Sequence, residues 1–176
     1  MTTEPTPTIA VRTCAAILQG KEICLIHRQR PKGDQHSLPG GLLHPDEEVP
    51  AGLARELKEE LSLDLAGIPD QPQLRWVQDQ TTTRPGSNEP FRRLHLIHVL
   101  SIPRHVRDSL TTTEQDAEDA TRVVWIPLAQ AAAYHLYPAV GQALSQLARP
   151  TPTPCAVMLP SITDRTADGD GFATGQ

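Results

Sequence analysis

Residues 41–63 read GLLHPDEEVPAGLARELKEELSL, and no other stretch limits the possible folds as strongly. Six of these 23 residues are acidic, and their spacing matters more than their number. If a helix opens near Pro50, then Val49, Leu53, Leu57 and Leu61 recur every fourth residue and make one apolar stripe that must pack on a core. At about 100° per residue, Glu56, Glu59 and Glu60 span an arc of roughly 100° along one flank of that stripe. Lys58 points to the far side and cannot neutralise them. Carboxylates this close repel one another. A cation among them relieves the repulsion, and oxygen-only ligands suit Mg2+ or Mn2+.

An isolated ELKEE run is more often a solvated helix face. This one sits in a larger frame, G-x5-E-x7-R-E-U-x-E-E-x-G-U, where U is bulky and apolar. Gly41, Glu47, Arg55, Glu56, Leu57, Glu59, Glu60 and Leu63 all fall in register. The stretch resembles the Nudix box of the Nudix hydrolases. One position departs, because Ser62 stands where the motif has its last Gly. That Gly usually ends the helix in a left-handed conformation, which Ser adopts only at some cost. It carries no ligand, so the departure bears on helix termination rather than on chemistry.

The resemblance implies a Nudix-type α/β/α sandwich with a mixed β-sheet over residues 9–148. It also implies a metal site, with Mg2+ or Mn2+ held by Glu56, Glu59, Glu60 and the carbonyl of Gly40. Glu47 is expected to pair with Arg55, and Arg55 to orient the carboxylates. A carboxylate left free of the inner shell can take a proton from the attacking water, and Glu59 counts among the catalytic residues as well as the ligands, with the choice of base left open. A further acid is expected from the cluster at 114–119, with Glu118 preferred for its reach and its closeness to the next strand. The implied reaction is hydrolysis of the diphosphate in a nucleoside diphosphate linked to a group X. The group X is not readable. Asp79 stands where enzymes acting on ADP-ribose carry Pro, and Gln80 where dinucleoside polyphosphate enzymes carry Tyr. Loss of box carboxylates would point instead to a nucleotide-sensing binding module, and none is lost.

Composition limits the alternatives. A net charge of -5 argues against a protein that coats a nucleic acid polymer. Two Trp, two Tyr and two Phe leave few surfaces on which a base could stack. No apolar run reaches the length of a membrane span, and no signal-peptide pattern opens the chain. Three cysteines without metal spacing read as reduced thiols of a cytoplasmic protein. A small-molecule nucleotide is the expected partner, and a homodimer stays open.

Along the chain, 1–8 reads as a disordered Thr/Pro leader. Strands are expected at 9–18 and 22–27 around a turn at Gly20, then a basic, turn-rich loop in which Arg28 could neutralise phosphate. After the box come a loop at 64–73, a strand at 74–79, a long polar loop at 80–90 and a clear strand at 91–102. Arg92 and Arg93 beside that loop, with Trp76 or Phe91 as a stacking surface, are candidate substrate contacts. His95 and His98 fall on opposite strand faces and so do not share a metal. A strand at 122–126 precedes two helical segments, 128–135 and 138–148. From Arg149 the chain reads as a mostly disordered tail with one apolar patch, 157–159, able to dock. Pattern alone leaves several α+β folds open beside the α/β arrangement.

Overall fold

The computed structural model describes residues 9–30, 33–83, 89–113, 121–148 and 157–164. The expected first hairpin forms. β1 (Ala10–Gln19) turns through Gly20, at φ 61°, into β2 (Glu22–Arg30). The pair touches only near the turn, at Leu18–Ile23 and Gln19–Glu22, and then splays. β1 continues beside β4 (Gly40–Leu42) and, in parallel, beside β6 (Pro90–Ser101). β2 is flanked by β3 (Gly33–Ser37) and β7 (Thr121–Pro127). β5 (Gln73–Thr83) pairs antiparallel with β6, so the sheet is mixed.

Alternation along β1 shows why the sheet is covered on both faces. Ala15 and Ile17 join Leu53, Leu57, Leu61 and Leu100 in one core, while Cys14 and Ala16 join Leu25, Trp76, Ile97 and Leu144 in the other. A strand buried on both sides reads as a continuous apolar run, as TCAAIL does. The first core is roofed by α1 (Val49–Leu61). A 3-10 segment (Leu128–Ala133) and α3 (Gly141–Leu147) cover the second. A short α2 (Arg104–Arg107) follows β6. The arrangement is the expected helix–sheet–helix sandwich.

The helix carrying the acidic arc sits where the spacing predicts. Leu53, Leu57 and Leu61 are at most 1% exposed. At about 2 kcal/mol per buried leucine, packing rather than polar contacts holds α1 in place. The helix ends on Ser62 at φ 57°, ψ 26°, with the amide of Leu63 donating to the carbonyl of Leu57 at 3.2 Å. This left-handed ending is the one a glycine would adopt without strain. Neither Asp46 nor Glu47 caps the start, because α1 has no side-chain cap and Glu47 turns toward Arg55 instead.

Four sequence expectations change. The basic segment after His27 is not a loop, since β2 runs to Arg30 and β3 returns against it from Gly33. The polar 80–90 loop shortens because QTTT, rich in β-branched Thr, extends β5 to Thr83 opposite Pro90. Residues 136–137 form a strand, β8 (Leu136–Tyr137), recruited by β3 through His36 and Ser37, so the second late helix starts only at Gly141. Lastly, part of the segment read as a tail is strand: β9 (Val157–Met158) and β10 (Ile162–Asp164) run parallel along β5. Leu159 packs against the Trp76 core, and its amide bonds to the carbonyl of Val77 at 2.9 Å. No helix is long and apolar enough to cross a membrane.

Candidate active site

Arg55 is the hub of the site. Its position one turn before Glu59 on α1 lets its guanidinium reach back across the loop that enters the helix. Nε and Nη2 donate to the two carboxylate oxygens of Glu47 at 2.7 and 2.8 Å. Nη1 donates to Glu56 at 2.7 Å and to Glu59 at 3.3 Å. Nη2 also reaches the carbonyl of Leu42 at 3.2 Å. All five guanidinium donors are thereby engaged, and the two-pronged contact fixes Glu47 as a lysine could not. The hydrogen bonds from Arg55, helped by the amide of His44, hold the Glu47 carboxyl down to about 2. The same contacts push the Arg55 guanidinium further up from its ordinary value, Glu47 contributing most.

The expected pairing of Glu47 with Arg55, and of Arg55 with the box carboxylates, is therefore present. Glu60 stands beside them, accepting from the amide of Gly40 at 2.7 Å. Arg28 lies near it, with Nη2 3.9 Å from Glu60 and Nη1 donating to Ser37 at 3.2 Å. The two glycines have distinct reasons. Gly40 has φ 135°, and a Cβ there would stand 2.3 Å from the carbonyl of Thr13. At Gly41 a Cβ would stand 2.3 Å from the Glu56 carboxylate, so the missing side chain makes room for that acid.

Glu47, Glu56, Glu59 and Glu60 face Arg55 and Arg28, which leaves the cluster with an excess of negative charge. Its donors are all oxygen, which fits a hard divalent cation in kind. In position the acids are tied to Arg55 and Gly40, and among the described residues no three His, Cys, Asp or Glu side chains converge on one point. Glu59 is the acid best able to move, at 56% exposure against 14% for Glu56 and 12% for Glu60. The Gly40 carbonyl already accepts from Nη2 of Arg12 at 2.6 Å, and a carbonyl oxygen retains a second lone pair.

Other candidates fare differently. Trp76 does not offer a stacking surface: it is 6% exposed and packed in the core. A bulge between Leu74 and Trp76 leaves Leu74 opposite His98 and Trp76 opposite Ile97, and so turns the indole inward. Arg92 is committed to Asp79, at 2.5–3.1 Å, and none of its contacts among the described residues reaches the Arg55 cluster. Glu118 lies outside the described residues. His95 and His98 do lie on opposite faces, His95 bonded to Gln80 and His98 to the carbonyl of Cys14. Sequence reading missed Arg12, whose Nη2 bridges the carbonyls of Leu38 and Gly40. Its one signal was a charge inside the apolar run AVRTCAAIL.

No curated protein matches the chain significantly. Solved structures do match in fold. A mutator MutT protein from Bacillus halodurans is 11% identical with a TM-score of 0.57, covering 80% of this chain and 83% of its own. The E. coli ORF135 protein is 25% identical with a TM-score of 0.52, covering 85% of this chain and all of its own. A bifunctional NMN adenylyltransferase/ADP ribose pyrophosphatase from Francisella tularensis is 24% identical with a TM-score of 0.51, over 71% of this chain and 35% of that longer one. A model of the NUDIX domain matches residues 8–147. With that match spanning the sheet and both helical layers, the Arg55-bearing acidic helix among them, the chain belongs to the Nudix family, as a hydrolase of phosphoanhydride bonds.

Proposed function

We propose that the protein cleaves the diphosphate of a small nucleoside diphosphate linked to a group X, with Mg2+ or Mn2+ held by Glu56, Glu59, Glu60 and the Gly40 carbonyl. The observation that carries this reading is the fork of Arg55, which gathers Glu47, Glu56 and Glu59 beside the Gly40–Gly41 turn with carboxylates in excess. A bound divalent ion supplies charge neutralisation at the phosphate oxygens and acidifies water. The chain's own groups do the rest. Arg55 and Glu47 hold the acids in place, and Arg28, next to Glu60, offers a guanidinium to a phosphate oxygen. Glu59, the most exposed of the box acids, is the ligand most able to release the ion and take the proton from the attacking water. Glu118 is the candidate for an auxiliary acid from outside the box. Buried, unpaired Cys14 and Cys24 are in keeping with a cytoplasmic setting.

The nucleotide class draws support from the neighbours in fold, one of which is described as an ADP ribose pyrophosphatase. The test is a panel of ADP-ribose, nucleotide sugars, dinucleotides and nucleoside triphosphates, assayed with Mg2+ and with Mn2+. Glu59→Gln and Glu60→Gln should each lower turnover by about two orders of magnitude with the circular dichroism unchanged. Full activity in both variants, or in excess chelator, sinks the reading. No turnover of any panel member would favour the binding module instead.

A further inference from the structure

On the sheet face away from α1, the inward positions change character toward one end. Cys14, Ile97 and Trp76 are apolar. Beyond them lie Arg12 paired with His95 across β1 and β6, Arg93 one pair further, and Gln78 and Gln80 of β5 opposite those two. Tyr137 closes this end. The guanidinium carbons of Arg12 and Arg93 stand 5.3 and 5.9 Å from its ring centre, and His95 meets it edge-on at 5.1 Å. Nη1 of Arg93 donates to the Tyr137 hydroxyl.

Three polar atoms in this group are buried without any hydrogen-bond partner: Nη1 of Arg12, Nε of Arg93 and Nδ1 of His95. Arg12 is 6% exposed and His95 fully buried. Arg55, Arg92 and Arg107 each have a carboxylate partner, whereas among the described residues neither Arg12 nor Arg93 has one. Burial, and then Arg12 and Arg93, push the His95 imidazole down to about 3, so it is neutral and adds no positive charge. With Nε2 donating to Gln80 at 2.8 Å, Nδ1 is left as an acceptor. A buried Arg12 and a half-buried Arg93, both lacking a counter-charge, are costly. Water would satisfy the three atoms but would not neutralise the charge.

We propose that Arg12, Arg93, His95 and Tyr137 form an anion-binding pocket that takes a phosphate or carboxylate carried by the substrate away from the bond being cleaved. Arg12 connects the pocket to the box, because its Nη2 holds the Gly40 carbonyl. The unused Nη1 and Nε donors serve the anion's oxygens, and Nδ1 of His95 accepts from a hydroxyl of the same group. The identity of what brings the anion rests on the proposed function, while the existence of the pocket does not.

The full chain without metal, in EDTA, separates the two. Inorganic phosphate should bind one site by calorimetry and shift the Nε–H resonance of Arg93 in the wild-type protein. Arg93→Gln should weaken binding by about tenfold or more, and the exposed control Arg104→Gln should not. Phosphate binding lost in Arg28→Gln but kept in Arg93→Gln would put the anion at the box and overturn the pocket. An unmoved Arg93 resonance would do the same without any variant. In the substrate panel, the best substrate should carry an anionic group beyond the cleaved diphosphate, and Arg93→Gln should raise its KM more than it lowers kcat. A best substrate with a neutral remainder would overturn that assignment. A chain that binds phosphate through Arg93 yet hydrolyses nothing keeps the pocket and loses the hydrolase reading. Hydrolysis without Arg93-dependent phosphate binding has the reverse meaning.

Discussion

At the scale of single residues, three groups with depressed pKa values mark the same direction of pH sensitivity. Glu47 sits at about 2 against 4.5 because Arg55 bonds its charged form. Its contribution is complete above about 4.5 and disappears as the pH falls toward 2. His95 sits at about 3 against 6.5 because burial disfavours its charged form. Between those values the unfolded chain binds the proton and the folded one does not, so stability falls as the pH drops through that window. His98, also lowered mainly by burial, adds to the same loss. Thermal melts from pH 7 to pH 4 should therefore show a steady decline. His95→Gln should flatten the part between 6.5 and 4.5, by several degrees at about 2–4 °C per kcal/mol. An unchanged slope would mean that His95 charges within the fold.

At the scale of an element, α1 contains one glycine it should not need and lacks one it could use. Ser62 takes φ 57°, which costs a residue with a Cβ about 1–2 kcal/mol. Gly there would relieve that strain and lose about 0.4–1 kcal/mol through the freer unfolded chain. Ser62→Gly is thus expected to stabilise by about 0.5–1 kcal/mol without altering turnover, measured by urea unfolding. Gly52 lies inside the helix, where Ala is ordinarily better by about 1 kcal/mol. Here a Cβ would meet Leu43 at 2.3 Å and Glu47 at 2.9 Å. Crowding costs about 1–3 kcal/mol and outweighs propensity, so Gly52→Ala should destabilise and also lower activity by displacing Glu47 from Arg55. A gain in midpoint would show that Leu43 and Glu47 give way freely.

At the scale of the whole molecule, β9 and β10 cover an edge that would otherwise be exposed. They pair with β5 at Trp76, Val77 and Gln80–Thr82, and Leu159 seals the core beside Trp76. Ending the chain at Arg149 uncovers that edge and should cost about 1–3 kcal/mol in lost burial and hydrogen bonds. An open edge of this length also invites pairing between copies. Melting temperature and light scattering on full-length and shortened chains check both effects, and the same scattering run on the intact chain decides the homodimer question. Equal melting and equal size would show the strands to be peripheral, as a disordered tail would be.

What the sequence determined by itself is local. A leucine every fourth residue specifies a helix and the face it buries, and the rotation per residue then places Glu56, Glu59 and Glu60 on one flank whatever surrounds them. The left-handed ending at Ser62 was legible only through the resemblance to the Nudix box, whose last Gly stands at that position. The tertiary structure alone decided the rest. Arg12 meets Gly40 across 28 positions, and Gln80 meets His95 across 15, through strand registers that no local period encodes. A single bulge reversed the face of Trp76, because strand side chains alternate and one extra residue inverts them. Polar Arg28 and the TTT run looked like loop until neighbouring strands offered their backbones partners. Where the cause is periodicity along the chain, the sequence suffices; where it is which strand lies beside which, only the packed molecule says.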